Sequence, residues 1–150
     1  MDTTGRTASI PARDQSGCGV VTYAPEMAVG TVIVTYQRPE TLFATLTAVL
    51  GQSHPPDVVV VVDNDADHRV ERAVALMGSN VVYEPSPSNV GYGAALALGM
   101  RILRSSLDPD WYWLLDDDTI PEPDSAAELV RAWSSASHPA QQYFASRVGA

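Results

Sequence analysis

Val58-Val59-Val60-Val61-Val62-Asp63 is the stretch on which the fold turns: five valines in a row, closed by an acid. β-Branched side chains favour extended backbone. A strand with one wet face alternates apolar and polar residues, and this one does not. Both of its faces must therefore be covered, as in a parallel sheet flanked by helices. Upstream, Thr31-Val32-Ile33-Val34-Thr35 reads as another buried strand, and Arg38-Pro39-Glu40 opens a helix with Pro in its first turn. Leu42, Leu46, Val49 and Leu50 then share one helical face, and Gly51 with Pro55-Pro56 ends it. Downstream, a helix is expected from about His68 to Met77, with Val70, Val74 and Met77 on one side. Val81-Val82-Tyr83 is a short strand, and a helix runs from the Asn89-Val90-Gly91-Tyr92-Gly93 turn to near Ser106. Trp111-Tyr112-Trp113-Leu114-Leu115 is the next strand, and Ser125 to Ser134 the next helix. Gln142 to Val148 reads as the start of a fifth strand. This alternation of strand and helix predicts an α/β fold with a mainly parallel sheet. The chain divides into a flexible tail over 1–27, rich in Thr, Ser, Gly, Pro and Ala, and one α/β unit over 28–150.

The composition narrows the partners. The 150 residues carry a formal net charge of −9, and all 9 basic residues are Arg. So acidic a chain repels nucleic acid and anionic lipid, and no nucleic-acid partner is expected. Without Lys, a phosphate-binding loop ending in Gly-Lys-Ser/Thr is excluded. The single cysteine, Cys18, permits neither an internal disulfide nor a cysteine zinc cluster and reads as an inert small residue. Met1 to Asp14 lacks the apolar core of a secretory signal, and no apolar run approaches the ~20 residues of a membrane span. The expected location is the cytoplasm, including the inner face of the membrane.

In open parallel sheets, ligands sit beyond the carboxyl ends of the strands. Three polar clusters fall there: Thr35 to Arg38, Asp63 to Asp67, and Asp116-Asp117-Asp118. Along extended backbone Asp116 and Asp118 point to one side and Asp117 to the other. Two carboxylates on one side repel unless a cation joins them, and Mg²⁺ or Mn²⁺ would do so while keeping positions open for a diphosphate. The same triplet also reads as an acidic turn capping the next segment. Asp63 is the candidate acceptor for a base or ribose, whereas Asp65 or Asp67 suits a helix N-cap. The spacing Asp63-Asn64-Asp65-Ala66-Asp67 begins like a calcium loop, but His68 and Val74 stand where that loop needs Gly and Glu. Asn89 and Gly91 belong either to a tight turn with Asn89 as cap or to a loop that lets an anion approach the helix start. Arg38 could reach a phosphate or a base. His54, His68 and His138 show no metal-ligand spacing, and Trp111, Tyr112 and Trp113 read as core.

Taken in order, Val34-Thr35-Tyr36-Gln37-Arg38, Val62-Asp63-Asn64, Asn89-Val90-Gly91-Tyr92-Gly93-Ala94 and Trp113-Leu114-Leu115-Asp116-Asp117-Asp118 resemble the family 2 glycosyltransferases of GT-A fold. The last stretch, followed by Pro121 and Pro123, is most similar to the galactofuranosyl- and rhamnosyltransferase branch. The resemblance covers about Val29 to Val148. It implies that Thr35 and Arg38 line a nucleotide site, Asp63 contacts base or ribose, and Asn89 and Gly91 lie near the sugar diphosphate. Asp116 and Asp118 would hold Mg²⁺ or Mn²⁺, and Asp117 would face the donor sugar. The donor would be a nucleotide diphosphate sugar, UDP- or dTDP-linked, and the acceptor a glycan or lipid-linked molecule.

Family members continue further and supply an acidic general base from that later half. After Asp118 only Glu122, Asp124 and Glu128 follow, in the next turn and helix, so the general base is unknown. The chain is therefore expected to be the donor-binding part alone, truncated before the acceptor half, with an uncovered sheet edge that invites self-association. Two other readings fit less of the chain. One is a non-catalytic nucleotide-binding module. The other is a haloacid-dehalogenase-type phosphatase, which Asp116 to Ile120 nearly matches but whose Lys is missing.

Overall fold

The computed structural model describes residues 27–135. The expected tail and the expected strand over Gln142 to Val148 lie outside the described residues. Eight elements alternate: β1 (Val29–Thr35), α1 (Pro39–Leu50), β2 (Val58–Asp63), α2 (His68–Val74), β3 (Val81–Pro85), α3 (Tyr92–Ser106), β4 (Trp111–Asp116) and α4 (Ser125–Ser135). The strands form one sheet in the order β3-β2-β1-β4, with every neighbouring pair parallel. The five valines of β2 lie between β1 and β3, and Val59 to Val62 are fully buried.

Each sheet face has its own core. Val29, Ile33, Val59, Val61, Trp113 and Leu115 pack with Leu42, Leu46 and Val49 of α1, Val70 and Val74 of α2, and Ala126 and Leu129 of α4. On the other face Val32, Val34, Val60 and Val62 pack against Ala95 and Leu103 of α3. That helix lies close on the sheet at Gly99, where an added Cβ would collide with Val32 Cγ1 and stand 3.2 Å from Val62 Cγ2. Trp113 is core, as its pattern predicts, while Trp111 and Tyr112 are partly buried at its sides.

The boundaries move in three places, one of them at β3, which runs past Tyr83 to Pro85. β1 starts at Val29, because Val29 pairs with Trp111 and Gly30 with Val58 and Tyr112. Regular helix α2 ends at Val74, since Leu76 and Met77 bond back only three residues, to Ala73 and Val74, before Gly78 takes a φ of 126°. Met77 still packs against the core face expected of it.

The order places a reversal at β1. The chain steps from β1 to β2 to β3 in one direction, then crosses to β4 on the far side of β1. The carboxyl ends of β1 and β4 thus flank a crevice at the topological switch point, where open α/β sheets bind ligands.

Candidate donor site

Thr35 ends β1 and is buried. Its register partner on β2 is Asp63, and Val34 beside it pairs with Asp116 on β4. Across that junction Thr35 Oγ1 donates to Asp117 Oδ2 at 2.8 Å. From α1, buried Thr45 Oγ1 donates to the Asp117 carbonyl at 2.7 Å. The middle residue of the triplet is therefore pinned from two elements, and its side chain turns inward. Asp116, the last residue of β4, and Asp118, in the turn beyond it, are exposed.

Arg38 follows β1 and occupies the N-cap position of α1. Its Nη1 donates to Asp118 Oδ2 at 3.0 Å and lies 3.6 Å from Asp117 Oδ1. Asp116 hydrogen-bonds with the Tyr92 hydroxyl at the start of α3. Burial first, then the neighbouring charges of Asp118 and Asp117, push the Asp116 carboxyl above the usual carboxylate range, against the lowering effect of Tyr92 and Arg38. Burial and Asp116 together raise the Tyr92 hydroxyl.

These groups border a cleft of about 240 Å³. Thr35, Arg38, Asn89, Asp116 and Asp117 line it, as do three residues not singled out from the sequence: Tyr36, Asn64 and Tyr92. All three lie within the motifs at the strand ends, beside Thr35, Asp63 and Gly91. Asp118 meets the cleft through Arg38. Gly91 sits behind Asn89, whose Oδ1 accepts from its N–H at 2.9 Å. At a φ of 84°, Gly91 is the N-cap of α3 and makes no side-chain cap bond, so the first N–H groups of the helix stay open to an anion.

Asp63 has a different environment from the other candidates. It is fully buried, and its carboxylate accepts from Asp65 N at 3.0 Å, Asp67 N at 2.8 Å and the Tyr83 hydroxyl at 3.0 Å. Both oxygens thus hold the turn after β2 in shape. Asn64, the next residue, is the one that reaches the cleft, and its N–H donates to the Thr35 carbonyl at 2.9 Å. Of the two expected caps, Asp67 caps α2 by accepting from Arg69 N at 2.8 Å. Arg69 pairs with it and holds its carboxyl below the usual range.

The loop after the triplet is anchored by a residue with no sequence signal at all. Buried Gln52 donates from Nε2 to the Glu122 carbonyl at 2.7 Å and accepts at Oε1 from Ala126 N at 3.0 Å. It ties the end of α1 to the start of α4 and fixes the path of the chain leaving the cleft.

The cleft's chemistry suits a hard divalent cation. Asp116 and Asp118 are both exposed, and the Asp118 charge adds to burial in pushing the Asp116 carboxyl above the usual carboxylate range. Among the described residues no three His, Cys, Asp or Glu side chains gather as a metal cage. Mg²⁺ and Mn²⁺ sites that share a phosphate ligand commonly use only one or two carboxylates, so this donor set fits. No helix among the described residues is long and apolar enough to cross a membrane.

Comparison with known proteins bears on the family and the fold. The sequence profile of glycosyl transferase family 2 matches residues 31–147. The chain is 41% identical over 93 residues to the galactofuranosyltransferase GlfT1 of Mycolicibacterium smegmatis, across 62% of this chain and 30% of that protein. It is 38% identical over 92 residues to GlfT1 of Mycobacterium tuberculosis, across 60% and 30%. The chain thus spans less than a third of the length of these curated relatives. A similar solved structure is the mannosyltransferase PcManGT of Pyrobaculum calidifontis, in complex with GDP-Man and Mn²⁺. Its TM-score is 0.62 at 22% identity, over 77% of this chain and 34% of that one. Staphylococcus aureus TarS gives a TM-score of 0.57 at 15% identity, over 70% and 19%. The fold is that of the GT-A glycosyltransferases, and the chain belongs to glycosyl transferase family 2.

Proposed function

We propose that this chain forms the donor-binding part of a glycosyltransferase. It would move a sugar from a nucleotide diphosphate sugar, UDP- or dTDP-linked, to a glycan or lipid-linked acceptor. The observation that carries the reading is the convergence of Asp116, Asp117, the end of β1, Arg38 and Asn89 on one cleft at the sheet's switch point. The galactofuranosyl relatives make a galactofuranosyl donor the first sugar to test.

In this reading Asp116 and Asp118 hold Mg²⁺ or Mn²⁺, which supplies charge neutralisation to the diphosphate leaving group. Thr35 positions Asp117 at the cleft wall, toward the donor sugar. Arg38 and the open N–H groups at the start of α3 receive phosphate oxygens. Asn64 and Asn89 offer amide groups to the nucleoside and diphosphate, while Asp63 shapes the turn that presents Asn64. Inverting transfer also needs a base facing the acceptor hydroxyl. Glu122, Asp124 and Glu128, the acids after the triplet, do not line the cleft. The purified chain is expected to bind donor.

Calorimetric titration of UDP, dTDP and GDP, each with and without Mn²⁺, tests this reading. Mn²⁺-dependent binding of UDP or dTDP is expected, lost when Asp116→Ala is combined with Asp118→Ala. Binding that ignores both the metal and the double substitution would refute it.

A further inference from the structure

Arg38 stands in the donor cleft, yet its guanidinium is engaged with the acidic triplet. Nη1 donates to Asp118 Oδ2 at 3.0 Å and approaches Asp117 Oδ1 to 3.6 Å. The backbone delivers it there: Gln37, just before, adopts a φ of 58°, a left-handed conformation uncommon for a residue with a Cβ. The other ion pairs among the described residues join Arg69 to Asp67 and Glu40, and His68 to Glu71, all away from the triplet.

We propose that Arg38 is a resident counter-ion of the triplet, displaced from Asp118 by the divalent cation and thereby released to the diphosphate, so that cation and diphosphate bind cooperatively and each binds poorly alone. The inference rests on the donor-site reading above. Three physical points support it. The Arg38 and Asp118 side chains are 58% and 56% exposed, so their pair is weak and exchangeable rather than locked. A cation bonded to the Asp118 oxygen competes with the guanidinium for the same lone pairs and repels it. The freed guanidinium is a planar fork that matches phosphate oxygens. Arg38 therefore opposes cation binding in the absence of diphosphate and favours diphosphate binding once the cation is present.

The test uses the whole 150-residue chain as wild type, Arg38→Gln, Asp118→Asn and the double variant, each checked for folding by circular dichroism. Binding of Mn²⁺ alone is read by electron paramagnetic resonance, and UDP binding by calorimetry. Arg38→Gln is expected to bind Mn²⁺ alone about fivefold tighter, and to bind UDP in the presence of Mn²⁺ about tenfold weaker. Asp118→Asn is expected to bind UDP without metal more tightly than wild type, a gain that vanishes in the double variant because no guanidinium is left to release. If Arg38→Gln leaves Mn²⁺ affinity unchanged or lower, or if the gain persists in the double variant, the counter-ion role is overturned. Absence of Mn²⁺-dependent UDP binding in the wild type would instead overturn the donor-site reading itself.

Discussion

Asp63 and Asp117 are the two buried carboxylates of the described sheet edge, and each is held by hydroxyl donors from other elements. An ionised carboxylate without partners is costly in such a place, so these bonds matter more than their number suggests. Tyr83 supplies one of them. Burial first, then its bond to Asp63, push its hydroxyl well above the ordinary value of 10.0. The raised value sets the sign of the pH effect. Below pH 10 folded and unfolded chains both keep the proton, and the contribution is intact; above it the unfolded chain ionises first, and stability falls. Tyr83→Phe is expected to cost about 1.5–3 kcal/mol near neutral pH, the worth of a hydrogen bond to a charged group. It should also flatten the loss of stability above pH 10. Urea denaturation of both proteins at pH 7, 10 and 11 reads both effects, and an unchanged alkaline slope would contradict the assignment.

Between elements, contact depends on the small residue at the closest approach. Helix α3 lies against β1 and β2 where Gly99 faces Val32 and Val62, both fully buried. An added methyl would meet Val32 Cγ1, and a valine has no flexible end to move aside. Gly99→Ala should gain up to about 1 kcal/mol of helix propensity. It should lose about 1–3 kcal/mol to overpacking. Net destabilisation by about 1 kcal/mol is expected, with α3 and its Tyr92 shifted off the cleft. Denaturant titration measures the first and Mn²⁺-dependent UDP affinity the second. At Gly93, where an added Cβ meets nothing within 4 Å, the same substitution should show no overpacking loss in the denaturant titration.

At the scale of the whole molecule, the cleft joins parts far apart in the chain. Thr35 and Asp117 are 82 residues apart and share a hydrogen bond, while Asn64 and Val90 are brought together from 26 residues apart. Ligands that bridge these parts stabilise the fold by mass action. UDP with Mn²⁺ at a hundredfold excess over its dissociation constant should add about 2.7 kcal/mol. That is a rise of several degrees in Tm, with far less from either ligand alone. Differential scanning fluorimetry checks it, and equal shifts from Mn²⁺ alone would argue against a joint site.

Much of this arrangement was legible in the residues themselves. Five β-branched valines without alternation suit a strand covered on both faces, and β2 is that strand. The spacing of Leu42, Leu46 and Val49 marks the buried face of α1, and Asp117 is the buried member of the triplet, as an extended reading of it predicts, although β4 itself ends at Asp116. These are local consequences of backbone period and side-chain shape. What the tertiary structure alone decided is which strand ends meet. The placement of β4 beside β1 brings Thr35 and Arg38 to the triplet and sets Asn64 across the same cleft, while Tyr83 of β3 reaches the Asp63 carboxylate that braces its own loop. Local period cannot encode that choice, because pairing order depends on how the two apolar faces are shared among helices distant in sequence.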